Sequence, residues 1–350
     1  MSKVSVSMSA GSASTVFALV DVFCGIDVSA AKLAVAVQQA DKPGLEQREF
    51  ANSAAGHKGL IGWLGKRGSR VRVSLEATGI YSLDLALALD ATEGIEVAVL
   101  NPKLANRFAQ TLNRSKTDSA DAVALAEYSR RMPFEPWQRP SRAALELRAI
   151  TRHIATLSEE HTRPINRLHA AEGSGVTPRC VRNDLRLSVA GLEKRIGKLR
   201  REAVALVGSD ARMQRRFQHL VGIAGIAETS AVQLLAELEG LDPEMSVRQW
   251  VAQSGLDPMH RTSGSSVHLP SRIGRHGNRH LRRALYMPAL VGVRFDPPLR
   301  GFYNLLLQRH KSKLQALMAV ARKLLHAIYG IFKTDTPYDG AKLFPTLKIA

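Results

Sequence analysis

Cysteine is nearly absent from these 350 residues: Cys24 and Cys180 are the two present. Two thiols make neither a disulfide framework nor a paired zinc motif, which suits a reducing cytosol. Long apolar runs are missing too. The longest near the N-terminus, Val16–Ile26, is broken by Asp21. It is too short to cross a bilayer and has no signal-peptide cleavage pattern, so a soluble cytoplasmic protein without a membrane partner is expected. Aromatic residues are 5% of the chain, which argues against stacking of single-stranded bases as the main recognition mode.

Positive charge is abundant and uneven. The net charge is +18, yet residues 1–100 hold nine Lys and Arg against ten Asp and Glu. The remaining 250 carry forty against twenty-one, a net of +19. A nearly neutral front and a strongly basic rear fit a protein whose rear grips a polyanion while the front does chemistry.

Residues 1–20, which begin rich in Ser, Ala and Gly, read as a disordered leader. From Val22 to Asn101 short β-rich runs alternate with helical ones. Val22–Asp27, Leu33–Gln38, Glu49–Asn52, Val71–Glu76 and Glu96–Leu100 read as strands, and Gly56–Lys66 and Tyr81–Leu89 as helices. A helix starts at Asn101-Pro102, and another spans Ser119–Arg131 with Asp118 as its N-cap. Residues 21–131 therefore form an α/β domain. Three prolines in 132–140 mark a linker. Beyond it, 141–210 reads as a coiled-coil hairpin of two long helices, Ser141–Leu168 and Asp184–Val207, suited equally to dimerisation or to a bundle. Residues 211–339 form a mainly α C-terminal domain, and 340–350 a tail. Within that domain Gly222-Ile223-Ala224-Gly225 resembles a helix-hairpin-helix, whose backbone N–H groups hold a phosphate, and it fits a packing turn equally well.

Four carboxylates stand out. Asp27 and Glu76 each end an apolar run, and Asp118 and Asp121 are spaced i, i+3, one face of a helix. Acids gathered from two strands and a helix repel one another unless a hard cation, Mg2+ or Mn2+, takes their oxygens. With a phosphodiester present, such a site performs metal-assisted phosphoryl transfer. The most basic stretch, 248–283, holds Arg248, Arg261, Arg272, Arg275, Arg279, Arg282 and Arg283 with Asp257 as its one acid. Its four histidines have no nearby Cys and no regular spacing, which excludes a zinc reading. Ser263, Ser265 and Ser266 lie in this stretch as a flexible turn; spacing alone selects none of them as a nucleophile.

Together these residues resemble the DEDD-type insertion-sequence transposases, the bridge-RNA-guided recombinases of the IS-one-ten group. Seven blocks match in order: Gly25-Ile26-Asp27, Leu75–Tyr81, Asn101-Pro102, Lys116–Ala122, Gly222–Ile226, Ser263–Val267 and Leu281–Ala289. The resemblance implies a RuvC-like, RNase H-type front whose acids Asp27, Glu76, Asp118 and Asp121 bind Mg2+. It implies Ser263 as the nucleophile that forms a phosphoserine link to DNA. It further implies a homodimer assembling to a tetramer, and a structured guide RNA pairing with double-stranded donor and target DNA near the bacterial nucleoid. Lys116, Gly222, Gly225, Arg261, Arg272, Arg275, Arg279, Arg282 and Arg283 are the expected nucleic-acid contacts. A metal-dependent nuclease or junction resolvase using water, a sugar-kinase-like or actin-like ATPase suggested by Gly25–Ser29, and a non-catalytic RNA-binding protein are the rival readings. The ATPase lacks a second Gly-rich phosphate loop and has no need of a +19 rear.

Overall fold

The computed structural model describes residues 20–77, 79–112, 117–263, 267–274 and 277–343, with the backbone alone for 260–271 and 341. All but the last residue of the expected leader, and most of the expected tail, lie outside these residues. Contacts divide the chain between Arg139 and Pro140 into two compact units.

The first unit is built on a five-stranded sheet. Its strands are β1 (Val22–Val28), β2 (Lys32–Gln39), β3 (Glu46–Ala51), β4 (Val71–Glu76) and β5 (Ile95–Leu100), in the order β3-β2-β1-β4-β5. The first three form an antiparallel meander, and β4 and β5 run parallel to β1. Strands β1 and β4 are buried or half-buried along their whole length because helices cover both their faces. Edge strand β3 is exposed and charged, which discourages pairing with another chain. The other edge, β5, accepts a hydrogen bond at Val97 O from Trp137 N, so the proline-rich segment is strapped to the sheet.

Alternation along the strands sends two sets of side chains to opposite faces. Cys24, Ile26, Val28, Val73 and Leu75 pack against Leu60 and Leu64 of α1 (Ala54–Gly65) and Leu85 and Leu89 of α2 (Leu83–Asp90). The other face has a floor of small residues, Gly25, Ala34, Ala36, Ser74 and Ala98. Over it lies α4 (Asp118–Arg131), preceded by α3 (Pro102–Leu112). The approach is close: a methyl group on Gly25 would stand 2.1 Å from Ala122 O and 2.2 Å from Ala126 N. Ser129 Oγ, near the far end of α4, donates to Arg72 O early in β4. The helix therefore runs from the carboxyl ends of β1 and β4 toward their amino ends.

The second unit is helical: α5 (Arg142–Glu172), α6 (Arg179–Gly208), α7 (Ala211–Val221), α8 (Glu228–Leu238), α9 (Val247–Ser254), α10 (Arg279–Phe295), α11 (Pro297–Gln308), α12 (Lys313–Thr334) and the short α13 (Gly340–Leu343). Helices α5 and α6 form a hairpin. Its base joins the main core through Leu147, Ala203 and Val207, and its middle holds a smaller cluster of Ile154, Leu157 and Ile196. Helix α8 is the centre: Ala231, Leu234, Leu235 and Ala236 are fully buried. So is the carboxylate of Glu237, at 3% exposure, held by Arg152 Nε at 2.8 Å, Arg152 Nη2 at 2.9 Å and Asn278 Nδ2 at 2.5 Å. Asn278 in turn caps α10 by accepting from His280 N and Leu281 N.

Where the sequence suggests a flexible turn around Ser263, the backbone forms an antiparallel hairpin, β6 (Pro258–Ser263) and β7 (Val267–Ile273). Strand β6 lacks apolar alternation, and Pro270 interrupts the alternation of β7, so pattern reading misses them. The Gly222–Ile226 turn joins α7 to α8. Ile223 and Ile226 are buried, and Gly225, at φ +97°, sits so close to α10 that a methyl group there would lie 2.7 Å from Pro288 O and Gly292 N.

Replacing Gly25 by alanine forces α4 off the sheet, since the clash is with backbone. The expected loss in urea unfolding is about 3 kcal/mol, the upper end of ordinary overpacking. Burial pushes the Glu237 carboxyl up, and the hydrogen bonds from Arg152 and Asn278 and the Arg152 charge more than reverse this, leaving it below its ordinary value. Arg152→Ala should cost about 2 kcal/mol at neutral pH, less than a fully buried pair because Arg152 is 44% exposed. A carboxylate with a lowered folded value contributes stability that is present above its unfolded value near 4.5 and is lost as pH falls through the folded one. The gap between wild type and Arg152→Ala should therefore narrow in acid, as urea midpoints across that range will show.

Candidate active site

Strand register places the first two carboxylates. Ile26 pairs with Leu75 across parallel β1 and β4, so Asp27 and Glu76 are the next residues at the same two strand ends. Asp27 shares a face with Gly25, and Glu76 shares a face with Ser74, the partner of Gly25. That is the face α4 covers. Both carboxylates are partly buried and both take part in interactions within the fold. From β1 the chain leads to β2 and β3 on one side, while β4 and β5 lie on the other. The crevice beyond β1 and β4 is thus a topological switch point, the usual ligand site of open α/β sheets.

Helix α4 brings the other two. Ala122 lies over Gly25, so the turn before it, holding Asp118 and Asp121, reaches the level of Asp27. Asp118 is not the N-cap. Thr117 is, its hydroxyl accepting from Ala120 N at 3.1 Å, and Asp118 is the first helical residue. The carboxylate of Asp118 is thereby left out of the capping bond, and it is exposed while Asp121 is partly buried. Two acids in the first turn of a helix are favoured by its dipole. The four acids share one end of one face. Among the described residues no three His, Cys, Asp or Glu side chains are drawn into a group able to hold a metal ion. The donor set is all oxygen, matching Mg2+ or Mn2+ rather than a softer ion. Ser74 Oγ, fully buried on the same face, has no hydrogen-bond partner.

The loops that follow the acid-bearing strands are tied together by a residue that pattern reading passes over. Asn52 Nδ2 donates to Ser29 O after β1 at 2.8 Å and to Tyr81 O after β4 at 3.1 Å. Its Oδ1 lies 2.8 Å from His57 Nε2, which must donate because an amide oxygen only accepts. Burial holds the buried His57 below its ordinary value, against the pull of Asp84, so the ring is neutral. No sequence signal marks this pair: Asn52 reads as a strand end and His57 as a helix residue.

The remaining expected contacts are distributed as follows. Ser263 ends β6 opposite Val267, and Arg261 lies in the same strand; the backbone of both is described. Lys116, Ser265, Ser266 and Arg275 lie outside the described residues. Arg272 and Arg279 are exposed. Arg282 Nη1 donates to Ser254 O at 3.0 Å, and Arg283 pairs with Glu159. Gly222 is exposed at its turn, while Gly225 is partly buried against α10. No helix of the described residues is long and apolar enough to cross a membrane.

Two family profiles match the chain. One, a transposase profile of the DEDD IS110 type, spans residues 24–171 and so includes all four acids. The other, transposase IS116/IS110/IS902 family, spans 217–304, including the hairpin with Ser263. The pilin gene-inverting protein of Moraxella bovis is 28% identical over 300 residues, 83% of this chain and 89% of its own length. An insertion element IS116 44.8 kDa protein of Streptomyces clavuligerus is 24% identical over 340 residues, 75% of this chain and 82% of its own. An insertion element IS110 43.6 kDa protein of Streptomyces coelicolor is 28% identical over 120 residues, 34% of this chain and 29% of its own. Sheet, strand-end acids and these matches define an enzyme that acts on DNA. More narrowly, the chain belongs to the IS110 group of transposases, and its reaction is DNA transposition or recombination.

Asn52→Ala removes the tie between the two loops. Because the freed carbonyls can meet water, the expected cost is about 1–2 kcal/mol in urea unfolding. Limited proteolysis should show faster cleavage in the loop after Glu76.

Proposed function

We propose that the first unit is a RuvC-like nuclease centre in which Asp27, Glu76, Asp118 and Asp121 hold Mg2+, or Mn2+ in its place. The observation that carries this is the parallel β1–β4 pair, which sets Asp27 and Glu76 side by side on the face whose helix carries the other two acids. The bound cation supplies Lewis acidity at a phosphodiester. The acids orient it, and the first turn of α4, docked at Gly25, sets where they stand.

Ser263 is the nucleophile in this reading. Its hydroxyl oxygen bonds to phosphorus and gives up its proton, while the bond from phosphorus to one deoxyribose oxygen breaks and that oxygen takes up a proton to leave as a DNA hydroxyl. The serine-linked product keeps one phosphodiester, so the reverse attack by a DNA hydroxyl rejoins strands without ATP. The arginines around Ser263 in the sequence favour this role, since guanidinium groups hold a phosphate in planar, bidentate geometry. A homodimer assembling to a tetramer carries the acids of one protomer and the serine of another. A structured guide RNA pairs with donor and target DNA, and the +19 rear holds backbone rather than sequence. The four acids all belong to the first unit, which favours one alternative: hydrolysis by water, as in a junction resolvase.

Asp27→Ala, Glu76→Ala and Asp118→Ala should each lower cleavage of element-end DNA by more than the roughly 100-fold seen for outer-sphere changes, with DNA binding retained. Ser263→Ala should abolish the covalent protein–DNA adduct, seen as labelled DNA migrating with denatured protein. Cleavage without any adduct in the wild type would favour water as the nucleophile. Normal cleavage by Glu76→Ala would end the carboxylate-site reading.

A further inference from the structure

We propose that Ile80 and Tyr81 wedge between neighbouring base pairs beside the phosphate being cleaved, and that the cavity behind them receives the one nucleobase this displaces. The inference rests on the proposed carboxylate site for its location. Its own observations are separate from that site.

Ile80 is 78% exposed and Tyr81 50% exposed, adjacent on the loop that begins directly after Glu76. A lone exposed apolar residue is unremarkable. Here two large ones stand together, four and five residues beyond a strand-end carboxylate. The helix expected to begin at Tyr81 begins at Leu83 instead, so neither side chain is packed in it. Gly79, at φ +73°, supplies a backbone conformation that L side chains rarely adopt just before the pair. Asn52 fixes the backbone of Tyr81 to the turn after β1. The pair is thus a presented feature on an anchored backbone.

Behind it, at the same strand ends but on the α1–α2 side of the sheet, across from α4, lies a cleft of about 740 Å³. That is within the roughly 300–1,000 Å³ of sites that enclose small organic ligands. Ala54, Ile61 and Ala88 give it apolar walls, with Ile80 and Tyr81 themselves as one side. Its polar groups are few and convergent. Asp84 offers a carboxylate, which accepts from the exocyclic amine of a cytosine or adenine. Lys58 at the lining supplies the one full positive charge, suited to the phosphate attached to a displaced nucleotide. His57 is neutral and already donates to Asn52.

A flat, π-faced, mostly apolar group with amine and carbonyl edges fits these walls, and DNA is the substrate this family acts on. Isoleucine is among the side chains that enter base steps as wedges, and unstacking then delivers a base to a neighbouring pocket. The scarcity of aromatics elsewhere is consistent with this: one tyrosine placed beside the reacting phosphate serves a local step, and general grip remains with the basic rear.

The test uses the full-length protein in EDTA, so that cleavage does not intervene, with element-end duplexes carrying 2-aminopurine at successive positions around the cleavage site. The titration is run with and without the transcript of the element's non-coding end. One position should brighten on binding as its base unstacks, and Ile80→Ala/Tyr81→Ala should cut that rise by at least about threefold. Ala54→Trp, which fills the cleft while leaving the wedge, should cut it comparably. Both substitutions are at exposed positions, and near-unchanged urea midpoints will show that the fold is kept. A rise at no position in either titration, or a rise unchanged in the double variant, overturns the wedge. A rise unchanged in Ala54→Trp overturns the cavity as the receiver. Asp27→Ala separates this proposal from the one it rests on: it should brighten as wild type does while failing to cleave in Mg2+. Full cleavage by Asp27→Ala would end the carboxylate reading, and the fluorescence result would still decide the wedge.

Discussion

The absence of a single methyl group at Gly25 governs how the first unit is put together. Backbone of α4 occupies the space a side chain would take, with Ala122 O and Ala126 N at distances no Cβ could tolerate. The neighbours are chosen to match: Ala34, Ala36, Ser74 and Ala98 keep the floor low on either side. A helix lying that low has little freedom to slide, because close-packed interiors transmit displacement instead of absorbing it. The first turn of α4 is therefore delivered to the carboxyl ends of β1 and β4, where two further acids already stand. The acid-bearing end of the sheet thus depends on its least functional-looking residue.

The second unit solves a different problem, how to keep a strongly basic chain folded. It does so by spending acids where they neutralise buried or half-buried arginines. Glu237 serves Arg152 and also orients Asn278, the cap of α10. Arg216 is held by Glu239 at 2.6 Å and lies over the ring of Phe332 at 4.3 Å. At the surface, exposed Arg283 pairs with exposed Glu159. These pairings leave other arginines, Arg272 and Arg279 among them, directed to solvent. Arginines that look alike in the sequence are thus divided by the fold into structural and exposed ones.

Much of the first unit is legible from sequence, and the reasons differ by element. Val71–Glu76 reads directly because Val71, Val73 and Leu75 alternate with Arg72, Ser74 and Glu76, the period of a strand and not of a helix. Strand β3 is read short, since Glu46–Arg48 are polar edge residues that join the sheet by backbone bonding alone. Asp118 is misread as a cap because Thr117 and Asp118 are both good caps and sit side by side; only the observed bond to Ala120 N decides between them. The β6–β7 pair escapes because β6 has no apolar alternation and β7 is interrupted by Pro270. Asn52 and His57 escape because their importance lies in what they join, two loops distant in sequence.

By itself the sequence determined which residues can do chemistry, where the chain changes from mixed α/β to helical, and that one end is neutral and the other basic. These follow from side-chain type and periodicity, which are local. The tertiary structure alone decided that Asp27 and Glu76 are neighbours, that α4 covers their face and not the other, and that the loops after both strands share one anchoring amide. Those facts depend on strand order, register and the depth of one helix–sheet contact. Such relations arise between segments far apart in the chain, and no periodicity within either segment encodes them.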